Sequence, residues 1–274
     1  MIDYRKIFTP PPPGLARREF LGTTLRTLVG AGAVYAAQDL ILGSRAFGAE
    51  PTAKAGKAAD LIQDASVPLR TGQFVFPRLR FSVTDETTDL WNISPIGDAN
   101  LRHKLAELTN INVSREPRVV TLGDFDDMAR NPLVFMTSEG NFKLTEQEER
   151  NFKEYLDRGG FIFADDCVYK TKEDRFFRCY VDLINKLYPD NPMRKVPLDH
   201  EIFHIYYDLP KGAPHCQGVP HGMYGLFEPG TGRIMTVVTP GDIHCGWVNQ
   251  WFTPQLNEQS IQMGINIIIY FLTH

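Results

Sequence analysis

The sequence predicts an open α/β sheet, mostly parallel, with helices on both faces. Three observations predict it. Short, wholly apolar runs such as Leu133-Val134-Phe135-Met136 and Phe161-Ile162-Phe163-Ala164 have the length and composition of strands buried on both faces. Amphipathic helical patterns stand between such runs, so that strand and helix alternate from residue 74 to residue 188. The composition, 43% hydrophobic and 23% charged in 274 residues, suits one good-sized core and excludes disordered, collagen-like and coiled-coil classes.

Taken in order, Phe74 to Phe81 alternates as a first strand, with Pro77 implying an edge or a bulge because it cannot donate a ladder hydrogen bond. A helix follows over Asp98–Leu108, with Leu101, Leu105 and Leu108 as its buried stripe. Arg118–Leu122 and Leu133–Thr137 read as strands joined by a polar turn or short helix, Asp124–Arg130. Thr145 and Glu148 have the capping-box spacing, Phe152, Tyr155 and Leu156 share a face, and Gly159-Gly160 supplies a left-handed stop. The apolar strand at 161–164 then runs into Asp165-Asp166-Cys167, and a helix over Glu173–Tyr188 carries Phe176, Tyr180, Leu183, Ile184 and Leu187. Beyond it lie strand-like segments at Ile202–Leu209 and Ile234–Val238 and a last helix over Asn257–Leu272. That helix is apolar nearly all round but interrupted by Gln262 and Asn266, which implies burial against the sheet and not a membrane span.

The amino end carries a different signal. Arg17-Arg18-Glu19-Phe20-Leu21 precedes the weakly apolar run Thr27–Ala37, the pattern of a twin-arginine export signal, with small residues at Ala46 and Gly48 for cleavage after Gly48. Eleven uncharged residues fall well short of the roughly 20 that a membrane span needs. Residues 1–48 are therefore read as signal or tether, 49–71 as linker and 72–274 as a single α/β domain. The expected location is periplasmic or extracytoplasmic, with an uncleaved tether to the inner membrane as the alternative. The partners implied are the twin-arginine machinery and a periplasmic or membrane-complex protein. That route carries folded proteins, often already loaded with a cofactor. No cofactor is named by a motif, and a divalent metal is the one class the side chains suggest. A formal charge of −4 offers no basic footprint for nucleic acid.

The segments Phe76-Pro77-Arg78-Leu79-Arg80-Phe81, Gly159 to Cys167, Asp199-His200, Gly232-Arg233 and Gly264-Ile265-Asn266, with Trp91, Asp242 and Trp247, resemble the bacterial domain-of-unknown-function family numbered 4159. The resemblance spans roughly residues 72–272. It implies the flavodoxin-like sheet of class I glutamine amidotransferases and the trehalose-utilisation proteins, and no particular reaction. It also places Cys167 where that fold carries its nucleophile elbow. Here, however, the flanking residues are Asp166 and Val168 and not glycines, and the late His-x-Glu is replaced by His244-Cys245-Gly246.

In open sheets of this class ligands bind beyond the carboxyl ends of the strands, which directs attention to Thr137–Gly140 and Asp165–Cys167. Asp165 and Asp166 suit cation binding, proton transfer or helix capping, and as strand neighbours they face opposite ways. His200 and Asp242 are further candidates for acid–base chemistry, although His200 also suits a hydrogen-bonded turn. His200 and His204 have metal-ligand spacing only if a helix carries them. His215, Cys216, His221, His244 and Cys245 supply soft donors without a known template, and a Cys216–Cys245 disulfide, a metal site and free thiols all remain open. Gly218, Gly222, Gly225 and Gly230 mark a loop able to cover the crevice. Two functions follow. One is an exported ligand-binding or complex-forming accessory protein without a glutaminase triad. The alternative is a hydrolase of carbohydrate or cell-envelope material using strand-end Asp and His.

Overall fold

The computed structural model describes residues 72–83, 91–168 and 174–274. Within them, seven strands form one sheet: β1 (Arg78–Arg80), β2 (Val119–Thr121), β3 (Leu133–Ser138), β4 (Phe161–Asp166), β5 (Arg194–Lys195), β6 (Tyr224–Phe227) and β7 (Ile234–Thr239). Six helices accompany them: α1 (Pro95–Leu108), α2 (Phe125–Ala129), α3 (Glu146–Asp157), α4 (Arg175–Leu187), α5 (Ile243–Val248) and α6 (Pro254–Thr273). The order across the sheet is β2-β1-β3-β4-β7-β6-β5. The first five strands in that order are parallel, β6 runs antiparallel to β7, and β5 antiparallel to β6. No helix among the described residues is long and apolar enough to cross a membrane. The export-signal and linker readings fall outside the described residues.

The period of two along each strand sorts the core into two layers. Phe135, Phe163 and Val237 point to one face, where Phe76, Leu101 and Leu105 of α1, Trp247 of α5 and the isoleucines of α6 cover them. Val134, Met136, Ile162, Ala164 and Val238 point to the other, under Met128 of α2, Phe152 and Leu156 of α3, and Phe176 and Tyr180 of α4. In the first layer the Phe135 ring is the hub. Its centroid lies 5.1 Å from those of both Phe163 and Trp247 and 5.3 Å from that of Phe76.

Local chemistry sets the boundaries. Thr145 and Glu148 close the capping box on α3, and Gly159, at φ 88°, takes the left-handed turn out of it. Thr253 caps α6 and Pro254 opens it. The polar Asn266 within this apolar helix has a use, since its amide accepts from Tyr207 N at 2.8 Å and donates to Tyr207 O at 2.9 Å.

Several expectations are corrected. β1 is an interior strand between β2 and β3. Pro77 is tolerated because it precedes the strand and contributes only its carbonyl, which accepts from Phe135 N. Leu108 ends α1 and is exposed, so the buried stripe stops at Leu105. Residues 202–209 form no strand. They make a single 3-10 turn, Glu201–Phe203, followed by bends, because His200 Nδ1 accepts from Ile202 N and turns the chain. His204 accordingly turns towards Asp208 and the Leu198 carbonyl, not into a helical pair with His200. β5, β6 and α5 are additional elements that the apolar pattern does not announce. Of the four loop glycines, Gly225 lies inside β6.

Three other glycines let α1, α5 and α6 approach closely. A Cβ on Gly97 would lie 2.9 Å from His244 Nε2 and 3.0 Å from the His244 carbonyl oxygen; one on Gly246 would lie 2.6 Å from Ser260 Cβ, and one on Gly264 2.9 Å from Leu101 Cδ1. Gly246→Ala is therefore expected to cost about 1–3 kcal/mol in urea unfolding. Gly123→Ala, where a Cβ meets nothing within 4 Å, should stay within about 0.5 kcal/mol of the parent.

Candidate functional site

Three adjacent parallel strands end in polar residues at one edge of the sheet. The register aligns Thr137 of β3 with Asp165 of β4 and Asp165 with Thr239 of β7, and sets Ser138 beside Asp166. All five are fully buried. As the strand period requires, the two aspartates part company. Asp165 faces α5, where its carboxylate accepts from Ile243 N at 3.2 Å, from His244 N at 2.9 Å and from the Thr239 hydroxyl. Asp166 faces α4 and accepts from Phe177 N at 3.0 Å. Each carboxylate thus caps the first turn of a different helix, and neither faces solvent.

Asp242 closes the arrangement. It holds a left-handed backbone (φ 55°), a conformation that Asp tolerates better than most residues, and is the N-cap of α5. One carboxylate oxygen accepts from Cys245 N at 3.3 Å; the other accepts from Val168 N at 3.3 Å and from the Gln217 amide. Gln217 also donates to the Val168 carbonyl, and Cys216 N bonds the Gly241 carbonyl, so the loop before β6 is tied down across the sheet end. Burial, reinforced by Asp242, pushes Asp165 well above the usual carboxylate range. Burial likewise raises Asp166 and Asp242.

Beneath this edge Arg78 of β1 lies almost wholly buried, and all five of its N–H groups are used. Nε and Nη2 grip both oxygens of Asp98 at 3.0 and 2.6 Å, Nη1 reaches the carbonyls of Trp91 and Ile93, and the remaining Nη2 proton meets His244 Nε2 at 3.0 Å. A guanidinium can only donate. His244 Nε2 is therefore an acceptor, and the ring is neutral with its proton on Nδ1. The 3.1 Å approach of Asp98 Oδ1 to the same nitrogen is then proximity, not a second bond. Burial pushes the His244 pKa down, consistent with a neutral ring. For Asp98, burial raises the carboxyl but the Arg78 guanidinium outweighs it, holding it well below the usual range.

Of the sequence candidates, Asp165, Asp166, Cys167, Asp242, His244 and Cys245 gather at this edge. His200 does not. It sits beside Phe227 and Tyr270, at the end of the sheet where β7 begins, since Phe227 pairs with Ile234. Asp166, His200 and Asp242 therefore do not meet in one site. The five-residue donor set is also divided. His221 stacks on Phe177, with centroids 5.0 Å apart, and bonds Asp174, the N-cap of α4. His215 packs beside Gly241, Cys216 Sγ faces Ser260 Oγ at 3.3 Å, and His244 is taken by Arg78. All four cysteines are free, and the sulfur beside Cys245 is that of Cys167, at 3.4 Å, not that of Cys216.

Residues that sequence reasoning missed are Arg78, Asp98, Gln217 and Thr239. Arg78 had a legible signal, a charge at an inward position of a strand. Among the described residues seven buried side-chain atoms lack a hydrogen-bond partner, and four of them, Thr137 Oγ1, Ser138 Oγ, Asp166 Oδ1 and His244 Nδ1, belong to residues of this edge. Unmet polar capacity is thus concentrated where ligands bind in open sheets.

Asp98→Asn leaves Arg78 buried without its counter-charge and is expected to lose about 3–5 kcal/mol in urea unfolding at neutral pH. The Asp98 carboxyl is depressed on folding, so its contribution is complete above the unfolded value of about 4 and declines as pH falls below it. The gap between parent and variant should narrow over that acidic window. Replacing the pair together, Arg78→Met with Asp98→Leu, should recover much of the loss.

The family model described as Domain of unknown function (DUF4159) matches residues 76–272, which spans β1 to the last turn of α6 and includes every residue of this edge. No curated protein matches the chain. With most of its length inside that match, the chain belongs to the DUF4159 family.

Proposed function

We propose that this protein is an exported accessory domain of the flavodoxin-like, class I glutamine amidotransferase-like kind, which binds a ligand or a protein partner and does not turn over substrate. The observation that carries the reading is the commitment of the strand-end carboxylates to main-chain capping: Asp165 holds α5, Asp166 holds α4 and Asp242 holds both its own helix and the covering loop. Both oxygens of Asp165 and of Asp242 accept hydrogen bonds, and Asp166 alone keeps one buried oxygen without a partner. Cys167, at the position of the elbow nucleophile, is buried, and its hydrogen bond to Cys245 together with burial pushes the thiol up, opposite to the activation a nucleophile needs. The orphaned hydroxyls of Thr137 and Ser138 support binding at the same edge.

The strand order supports the finer fold assignment. β2-β1-β3-β4-β7 is the 2-1-3-4-5 order of flavodoxin-like sheets, whose ligands sit where the order reverses, between β1 and β3. The hydrolase alternative loses its support in His200, which stands at the other end of the sheet. Location rests on Arg17-Arg18 and the weak apolar segment after it. The expected place of work is the periplasm, in a soluble or membrane-tethered complex reached through the twin-arginine machinery.

Two measurements test the proposal. The purified full chain should show no turnover of amide, ester or glycoside substrates above the uncatalysed rate; turnover at ordinary enzymatic rates that disappeared in Asp166→Ala would overturn it. Changing Arg17 and Arg18 together to lysine should trap folded precursor in the cytoplasm. Export that persisted in this variant, or that required the Sec machinery, would remove the location.

A further inference from the structure

Cys167 is the first residue beyond β4, and Cys245 lies in the first turn of α5, three residues after its N-cap Asp242. The cap bond from Cys245 N to the Asp242 carboxylate keeps those two side by side. Asp165 fastens the start of α5 to β4 through two main-chain N–H groups, and so brings Cys245 against Cys167. One sulfur from each cysteine and one oxygen from Asp242 all lie within 4.8 Å of one another, and all three residues are buried. We propose that Cys167, Asp242 and Cys245 form a zinc site, with two thiolates and one carboxylate as the protein ligands.

The spacing fits that use. A disulfide needs sulfurs about 2.05 Å apart, whereas two thiolates on one tetrahedral zinc, with arms of about 2.3 Å, stand roughly 3.8 Å apart. The observed 3.4 Å is nearer the second. The donor set selects the metal class, since paired sulfurs favour zinc over the hard cations magnesium and calcium. Asp242 is already oriented, as one oxygen is held by Val168 N and Gln217 and the other accepts from Cys245 N at 3.3 Å.

The chemistry is simple exchange. On binding, each thiol releases its proton to solvent, two sulfur–zinc bonds and one oxygen–zinc bond form, no electron is transferred, and a fourth position remains for water or a ligand. Because all three donors are buried, the ion must enter as the chain folds. The site stands on its own geometry and holds whether or not the accessory reading does.

The test is metal content. The full chain, produced in zinc-supplemented medium and purified without metal-affinity columns, should carry about one zinc per molecule by mass spectrometry. Cys167→Ser and Cys245→Ser should each reduce this to the buffer background, while Cys216→Ser, whose sulfur faces Ser260, should keep it. In case the serine variants do not fold, unaltered protein made with cobalt should show the intense thiolate-to-cobalt absorption band. Metal-free protein, a Cys167–Cys245 disulfide in non-reducing peptide maps, another metal in place of zinc, or zinc retained in both serine variants would overturn the assignment, as would the absence of the cobalt band.

Discussion

A buried guanidinium with no spare proton is the constraint on which the rest of this fold depends. Arg78 spends five N–H groups on five acceptors drawn from α1, from the segment before it and from α5, while its own strand lies inside the parallel sheet between β2 and β3. Its charge is matched by Asp98 alone at bonding distance, and its plane also lies over the Phe135 ring, 5.1 Å from the centroid. Such a residue contributes less by net attraction than by exclusivity, since any shift of α1 or α5 leaves a buried proton without an acceptor. The absence of side chains at Gly97, Gly246 and Gly264 is the steric counterpart, for it allows the helices to come as close as the guanidinium requires.

On that foundation the sheet's polar edge is assembled by reciprocal capping. Asp165 and Asp166 leave β4 in opposite directions, and each ends in the first turn of a helix belonging to a different core layer. One dipeptide therefore fixes the positions of α4 and α5 relative to β4. Asp242 repeats the device from the helix side and adds the loop through Gln217. Burial pushes all three carboxylates up, and the Asp242 charge adds to the rise at Asp165 and Asp166.

Much of this was legible in the sequence, for physical reasons that also explain what was not. The strands at 133–138 and 161–166 and the helix after Thr145 are encoded locally, by apolar runs and a capping box. Reading Asp165 and Asp166 as pointing apart needed only the strand period. By contrast α5 is six residues long and begins from a left-handed aspartate, so its helicity depends on Asp165, far away in sequence. The stretch after His200 is rich in β-formers, yet Ile202 and Phe203 are spent on the core from a turn closed by the His200 ring. Of the cysteine states the sequence allows, the Cys216–Cys245 disulfide is not formed, because the topology sets Cys167 against Cys245 and Ser260 against Cys216.

The sheet ends on β5, two residues long, with Arg194 and Lys195 both exposed. A strand this short, bearing adjacent positive charges, is a poor template for the backbone of a second molecule. Cross-chain β-pairing, the commonest route from an open sheet to a fibril, finds little purchase along this border. At high local concentration the molecule is consequently guarded against self-association on that side, and any companion meeting it there must be recognised through side chains.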